Sequence, residues 1–232
     1  MKYTIEALMG AWQSAAVALW QLNIRDDQGG AAGTRDIIGS IFAGVGWSFW
    51  IPDGYKEQNG RNAWCGHTQG YCGLHVGDWL EPGKCVGVTL DVDIAKNVTP
   101  STARLHSANK WRKAGYSKPN TLNGDWLDKM LDNEAAAADI KSSVFNRPQL
   151  ATIAARDYGD LRNDYGGHVV LIVGVDFEAR SFETIEGNAY GELGDGSWGE
   201  GVVRRRGDKA RKLSELKRVY LLERQHFETI ER

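Results

Sequence analysis

"HVVLIVGVD", residues 168–176, decides the fold. It is a β-branched, apolar run set between "YGG" and the short turn "FEAR", which is the signature of a buried strand. Four neighbours share its character: "QLATIAA" (149–155), "RSFETIEG" (180–187), "GVVRRR" (201–206) and "KRVYLLE" (217–223). All are short and separated by turn residues. Upstream the period changes. In residues 5–20, Ile5, Leu8, Met9, Trp12, Ala16, Leu19 and Trp20 fall on the i, i+3, i+4 spacing of an amphipathic helix. Helices first and strands after them predict an α+β fold, with N-terminal helices packed on a mostly antiparallel C-terminal sheet.

Further helices are predicted. "TRDIIGSIFAGVGWSFW" (34–50) has Thr34 as cap and Ile37, Ile38, Ile41, Phe42 and Val45 on one side. A helix from Cys65 to about Leu80 places Cys72, Val76, Trp79 and Leu80 on a buried stripe. "TPSTARLHSANKWRKAG" (99–115) opens with Pro100 and ends on a basic turn. "GDWLDKMLDNEAAAADI" (124–140) reads as acidic and helical, and "KSSVFNRPQ" as a connection. With no internal repeat or linker, residues 1–232 read as one domain, of which 1–50 form a helical N-terminal part.

The totals fit that reading. The chain has 232 residues, 42% hydrophobic and 25% charged, with a net charge of −2. That balance offers no global attraction to nucleic acid or an anionic membrane. Nine tryptophans serve mainly as core, with a few available to stack on sugar rings. Three cysteines, Cys65, Cys72 and Cys85, leave at least one thiol free in any pairing. Glu6, Gln13 and Ser14 interrupt the N-terminal apolar run, so it reads as part of the fold and not as a signal peptide. Synthesis in the cytoplasm is expected, with any export by another route.

The chemistry starts at Cys65, in "GRNAWCGHTQGYCG" (60–73). A thiol is strongly nucleophilic only as thiolate, and a helix N-terminus and a nearby imidazolium both favour that state. His168 is the sharply placed histidine. It opens its strand after two glycines, facing a cleft, while Val170 and Ile172 continue its face into the core. In "ETIEGNAYG", Glu186 and Asn188 are two apart and share a direction on extended chain. The short "FEAR" turn pairs their strand with that of His168, so an acid or amide there can accept the imidazole N–H and hold the ring towards the thiol. An acyl-transfer centre also needs oxyanion donors: the Cys65 backbone N–H, with Asn62, Asn59 or Gln58 as side-chain candidates.

"WCG", "GGHVVLIVGVD", "TIEGNA" and "GEGVVRRR", in this order, resemble the CHAP domains, the cysteine- and histidine-dependent amidohydrolase/peptidases of bacteria and phages. The resemblance covers the chain from about 27–33 to Arg206. It implies a papain-like hydrolase of one module, as in an endolysin, that cuts an amide or peptide bond in bacterial peptidoglycan. By position it implies Cys65 as nucleophile, His168 as base and acid, Glu186 as orienting group and Asn188 as a supporting residue able to exchange with it. It implies no cofactor, no metal, no nucleic-acid partner, no membrane insertion and a monomer acting on the cell wall after release or delivery. The stretch from Val86 to Gly167 is long for the family, and 116–148 reads as an atypical insertion.

Other readings stand beside this one. Cys65 is also a candidate buried thiol, and Cys72 reads as core. A zinc site from Cys65, His67, Cys72, His75 and Cys85 lacks the paired spacings of structural sites. The run 204–218, with eight basic and two acidic residues, reads as a solvated face balanced by the acidic stretch near Asp125–Glu134. Two functions compete with wall hydrolysis: a same-fold amidase or peptidase on another substrate, and a non-catalytic wall or virion module.

Overall fold

A computed structural model describes residues 1–25, 65–81, 83–84, 86–91, 127, 131–154, 167–220 and 222–230. The predicted helices at 34–50 and 99–115 lie outside the described residues, as do Gln58, Asn59, Asn62 and Cys85.

Helix α1 (Ile5–Gln21) begins where the Thr4 hydroxyl accepts the Ala7 N–H at 3.2 Å. That bond satisfies one of the free donors of the first turn. Leu8, Met9, Ala11, Trp12, Ala15, Ala16, Leu19 and Trp20 form its buried stripe. The Trp20 indole N–H donates to the Glu192 carbonyl at 2.8 Å, fastening the end of α1 to the sheet.

The predicted helix from Cys65 is broken in two, α2 (Cys65–Leu74) and α3 (Val76–Leu80). Its sequence "GYCGLHVG" is rich in glycine, which weakens helix continuity. The break at His75 is stabilised from both sides. The Leu74 carbonyl accepts the Thr89 hydroxyl at 3.0 Å, and His75 Nδ1 lies 2.7 Å from Asp78 Oδ2. The break also re-aims the stripe: Cys72 and Val76 are buried, whereas Trp79 is exposed, contrary to the continuous-helix expectation.

The main sheet contains β2 (Gln149–Ala154), β3 (Gly167–Asp176), β4 (Ser181–Glu192), β5 (Trp198–Arg205), β6 (Arg211–Lys212) and β7 (Leu216–Tyr220). The order is β5-β4-β3-β2-β7, with β6 beside the first residues of β4, and every pairing is antiparallel. A second, two-stranded sheet joins β1 (Val88–Leu90) to β8 (Phe227–Thr229). Mixed helix and antiparallel strand is thus the observed class.

Alternation along the strands splits the core into two layers. Leu150, Val169, Leu171, Ile185 and Val202 pack with α1, α2 and α3 on one face. Ala151, Ile153, Val170, Ile172 and Phe182 pack on the other with Leu127, Leu213, Leu216 and helix α4 (Glu134–Ser143). Part of the segment expected as an insertion therefore covers a face of the sheet, so helices lie on both faces and not on one. Ala136, Ile140 and Val144 are its buried residues there.

The basic run is not a free face. Arg204 reaches Glu183, Arg205 lies near Glu186, Arg206 forks onto Glu192, Lys209 pairs with Asp208, and Arg211 meets Glu186 and Glu215. Among the described residues its balancing carboxylates come mainly from β4; Asp125 and Asp128 lie outside those residues.

Candidate active site

The site forms where the N-terminus of α2 meets the first residues of β3. Cys65 is the first residue of α2 and stays partly exposed. The His168 ring and the backbone N–H groups of Gly66 and Val169 lie beside its thiol. Burial pushes the thiol up. The imidazolium and those N–H donors outweigh it, and the net shift is below the ordinary thiol value.

His168 is opposite Ile153 in the β2–β3 register, and its Nε2 lies 3.0 Å from Glu186 Oε2. The register explains the reach. Glu186 pairs with Val170, which shares the His168 face of β3, so carboxylate and ring are diagonal neighbours. With Nε2 committed to Glu186, Nδ1 is the ring nitrogen left for the sulfur. Burial alone lowers the His168 pKa; the bonds and charges of Cys65 and Glu186 outweigh it and raise it to about 10.

Glu186 is fully buried. Arg211 grips it with two N–H groups, Nε to Oε1 at 2.8 Å and Nη2 to Oε2 at 2.6 Å. The Thr184 hydroxyl also donates to Oε1, and Arg205 Nε stands 3.8 Å away. Burial raises the carboxyl pKa, but Arg211 and His168 overcome that and hold it well below the usual carboxylate range. Arg211 arrives through β6: it is opposite Phe182, so its side chain shares the face of Phe182, Thr184 and Glu186.

No protein-family model, no curated protein and no solved structure matches the chain.

The "EGN" step docks the Cys65 helix on the sheet. A Cβ at Gly187 would sit 1.8 Å from Thr68 Oγ1, so the missing side chain admits α2 onto β4. Beside it, fully buried Gln69 donates Nε2 to the Ile185 carbonyl at 3.0 Å, one helical turn after Cys65. Asn188 follows at φ 55°, a left-handed conformation that Asn tolerates better than most residues. It lies in the register shift between Glu186 and Ala189. Bulges of this kind re-aim side chains near functional sites. Among the described residues, no hydrogen bond joins Asn188 to His168; Glu186 holds the ring.

The other thiol is different in kind. Cys72 is sealed in the apolar core, and burial pushes its pKa up. His75 pairs with Asp78 and lies 4.4 Å from the Tyr71 ring, centroid to centroid. Neither is turned to Cys65, and among the described residues no cluster of three His, Cys, Asp or Glu side chains is arranged to hold a metal. The side chain of His67 is outside those described.

Sequence reasoning passed over Arg211, Gln69 and Thr68. Gln69 and Thr68 carried one usable signal: two polar residues on the Cys65 helix within a turn of the thiol. Arg211 carried none, because its partner is set by strand register and not by local pattern.

Proposed function

We propose that the chain is a thiol-dependent hydrolase that cleaves an amide or peptide bond in bacterial cell-wall peptide. The observation that carries the chemistry is the Cys65–His168–Glu186 series, a polarised thiol, a ring beside it and a buried carboxylate hydrogen-bonded to the ring. The four CHAP-like blocks supply the substrate class. An exposed pair, Tyr190 and Trp198, with centroids 6.2 Å apart, lies on the ribbon running on from Asn188. Aromatic faces presented this way suit the apolar faces of sugar rings, which favours a glycan-bearing wall over a bare peptide.

In this reading His168 takes the Cys65 proton, and the thiolate attacks the amide carbonyl carbon. The C–N bond breaks as the imidazolium returns that proton to the leaving amine, leaving a thioester on Cys65. Water, deprotonated by the same ring, then attacks the thioester and releases the acid. Glu186 keeps the ring in register through both steps. The Cys65 backbone N–H remains the described oxyanion donor candidate. The chemistry calls for no metal or organic cofactor. Incubating the protein and its Cys65→Ala variant with purified sacculi tests the proposal: new amine and carboxylate termini are expected from the first alone. A same-fold amidase on another substrate would spare sacculi yet alkylate at Cys65, and a non-catalytic module would bind sacculi without cutting them.

A further inference from the structure

We infer that Arg211 is a positioning residue for the thiol centre, holding Glu186 ionised and aimed so that the Cys65–His168 ion pair forms. The inference rests on the thiol–imidazole centre proposed above, and not on the identity of the substrate. A fully buried carboxyl prefers its neutral form unless a partner offsets the loss of water. A neutral Glu186 gives the imidazolium no counter-charge on its far side, and a proton then returns from ring to sulfur.

The geometry assigns the offset to Arg211. Its side chain is 13% exposed and makes a two-pronged contact with both oxygens of Glu186, the arrangement that best fixes a carboxylate plane. Arg211 is itself held from behind, with Nη1 3.3 Å from Glu215 Oε2. The charges facing the centre among the described residues are then Cys65 from α2, His168 from β3, Glu186 from β4, Arg205 from β5, Arg211 from β6 and Glu215 from the turn after β6. Along the line from Glu215 through Arg211, Glu186 and His168 to the thiolate, the signs alternate. Arg205, at 3.8 Å and gripping the Tyr190 carbonyl, is a weaker substitute.

Removing Arg211 leaves a protonated or turned Glu186 that deserts the imidazolium, and a thiol that loses its imidazolium partner rises. The test is the pH profile of Cys65 alkylation by iodoacetamide, which needs no substrate, measured for the native chain, Arg211→Met and Arg211→Lys. The native midpoint is expected below the ordinary thiol value of about 8.5. In Arg211→Met it is expected to rise by about one pH unit or more, a roughly tenfold slower reaction below the midpoint. Arg211→Lys, which keeps the charge but loses the fork, falls between. If Arg211 only ties β6 to β4, Arg211→Met melts earlier while its profile overlays the native one, and the inference is overturned. If Arg211→Met does not fold, an Arg211→Lys profile identical to the native one overturns it equally. A native midpoint at the ordinary value refutes the thiol centre itself, a distinct result.

Discussion

His168 Nε2 and Glu186 Oε2 lie 3.0 Å apart across β3 and β4, with Glu186 fully buried and the ring beside the Cys65 thiol. A carboxylate so placed acts as the fixed point of the site. Its neighbours can be exchanged one at a time to learn what each does.

Glu186→Gln is expected to cost about 3–5 kcal/mol, because it leaves Arg211 buried against a neutral amide. The pH dependence follows from sign. Glu186 is held low, so its stabilisation is complete above the unfolded value of about 4.3 and is lost as pH falls through the depressed folded value. Urea unfolding of both proteins should therefore show a gap at pH 7 that narrows below about pH 4. Turnover should drop about 10²–10⁴-fold, the usual worth of an oriented proton-transfer group.

Iodoacetamide on the native chain should modify Cys65 and spare Cys72. The first is polarised by His168 and partly exposed; the second is sealed in the core with its pKa raised. Peptide mapping by mass spectrometry reads the result. Equal labelling of both residues under native conditions contradicts the description of the site.

Gly187→Ala is expected to lose about 1–3 kcal/mol, the range for forcing an added methyl into a packed contact. Its Cβ would meet Thr68 Oγ1 at 1.8 Å, and the atom is on the helix that carries Cys65. Thermal unfolding measures the loss, and slowed Cys65 alkylation in the folded variant shows that the helix has moved. A change within about 0.5 kcal/mol, as for an ordinary surface site, goes against a tight α2–β4 contact.

Tyr190→Ala combined with Trp198→Ala removes two exposed rings, so stability should change by about 0.5 kcal/mol or less per site. If the rings stack on glycan, retention on sacculi should weaken about threefold to tenfold, in line with the ~0.5–1.5 kcal/mol carried by an aromatic contact. Unchanged retention in a co-sedimentation assay removes the ring pair from the wall-binding account.

What could be read beforehand was whatever depends on local period. The run 168–176 is continuously apolar and rich in Val and Ile, and β3 spans it; the short turn at 177–180 fixes which residues of β4 face His168. Glu186 was therefore reachable from sequence. β4 runs on to Glu192, past the end of the predicted strand at Gly187, because the left-handed Asn188 absorbs the kink inside the strand. The break at His75 was hidden, since it depends on Thr89 and Asp78 meeting the helix from outside its own period. β1 and β8 are three residues each, too short for alternation to register. Arg211 was the largest loss: a local charge count made it solvated surface, whereas a register contact 25 residues back along the chain made it part of the buried site.

The central claim, that Cys65, His168 and Glu186 work as one acyl-transfer centre on cell-wall peptide, is tested most directly by mass spectrometry of muropeptides. Purified sacculi are digested with the native chain and with Cys65→Ala. The account predicts one defined class of new amine and carboxylate termini from the native chain and none from the variant. Identical muropeptide patterns from both, whether cut or intact, would contradict it.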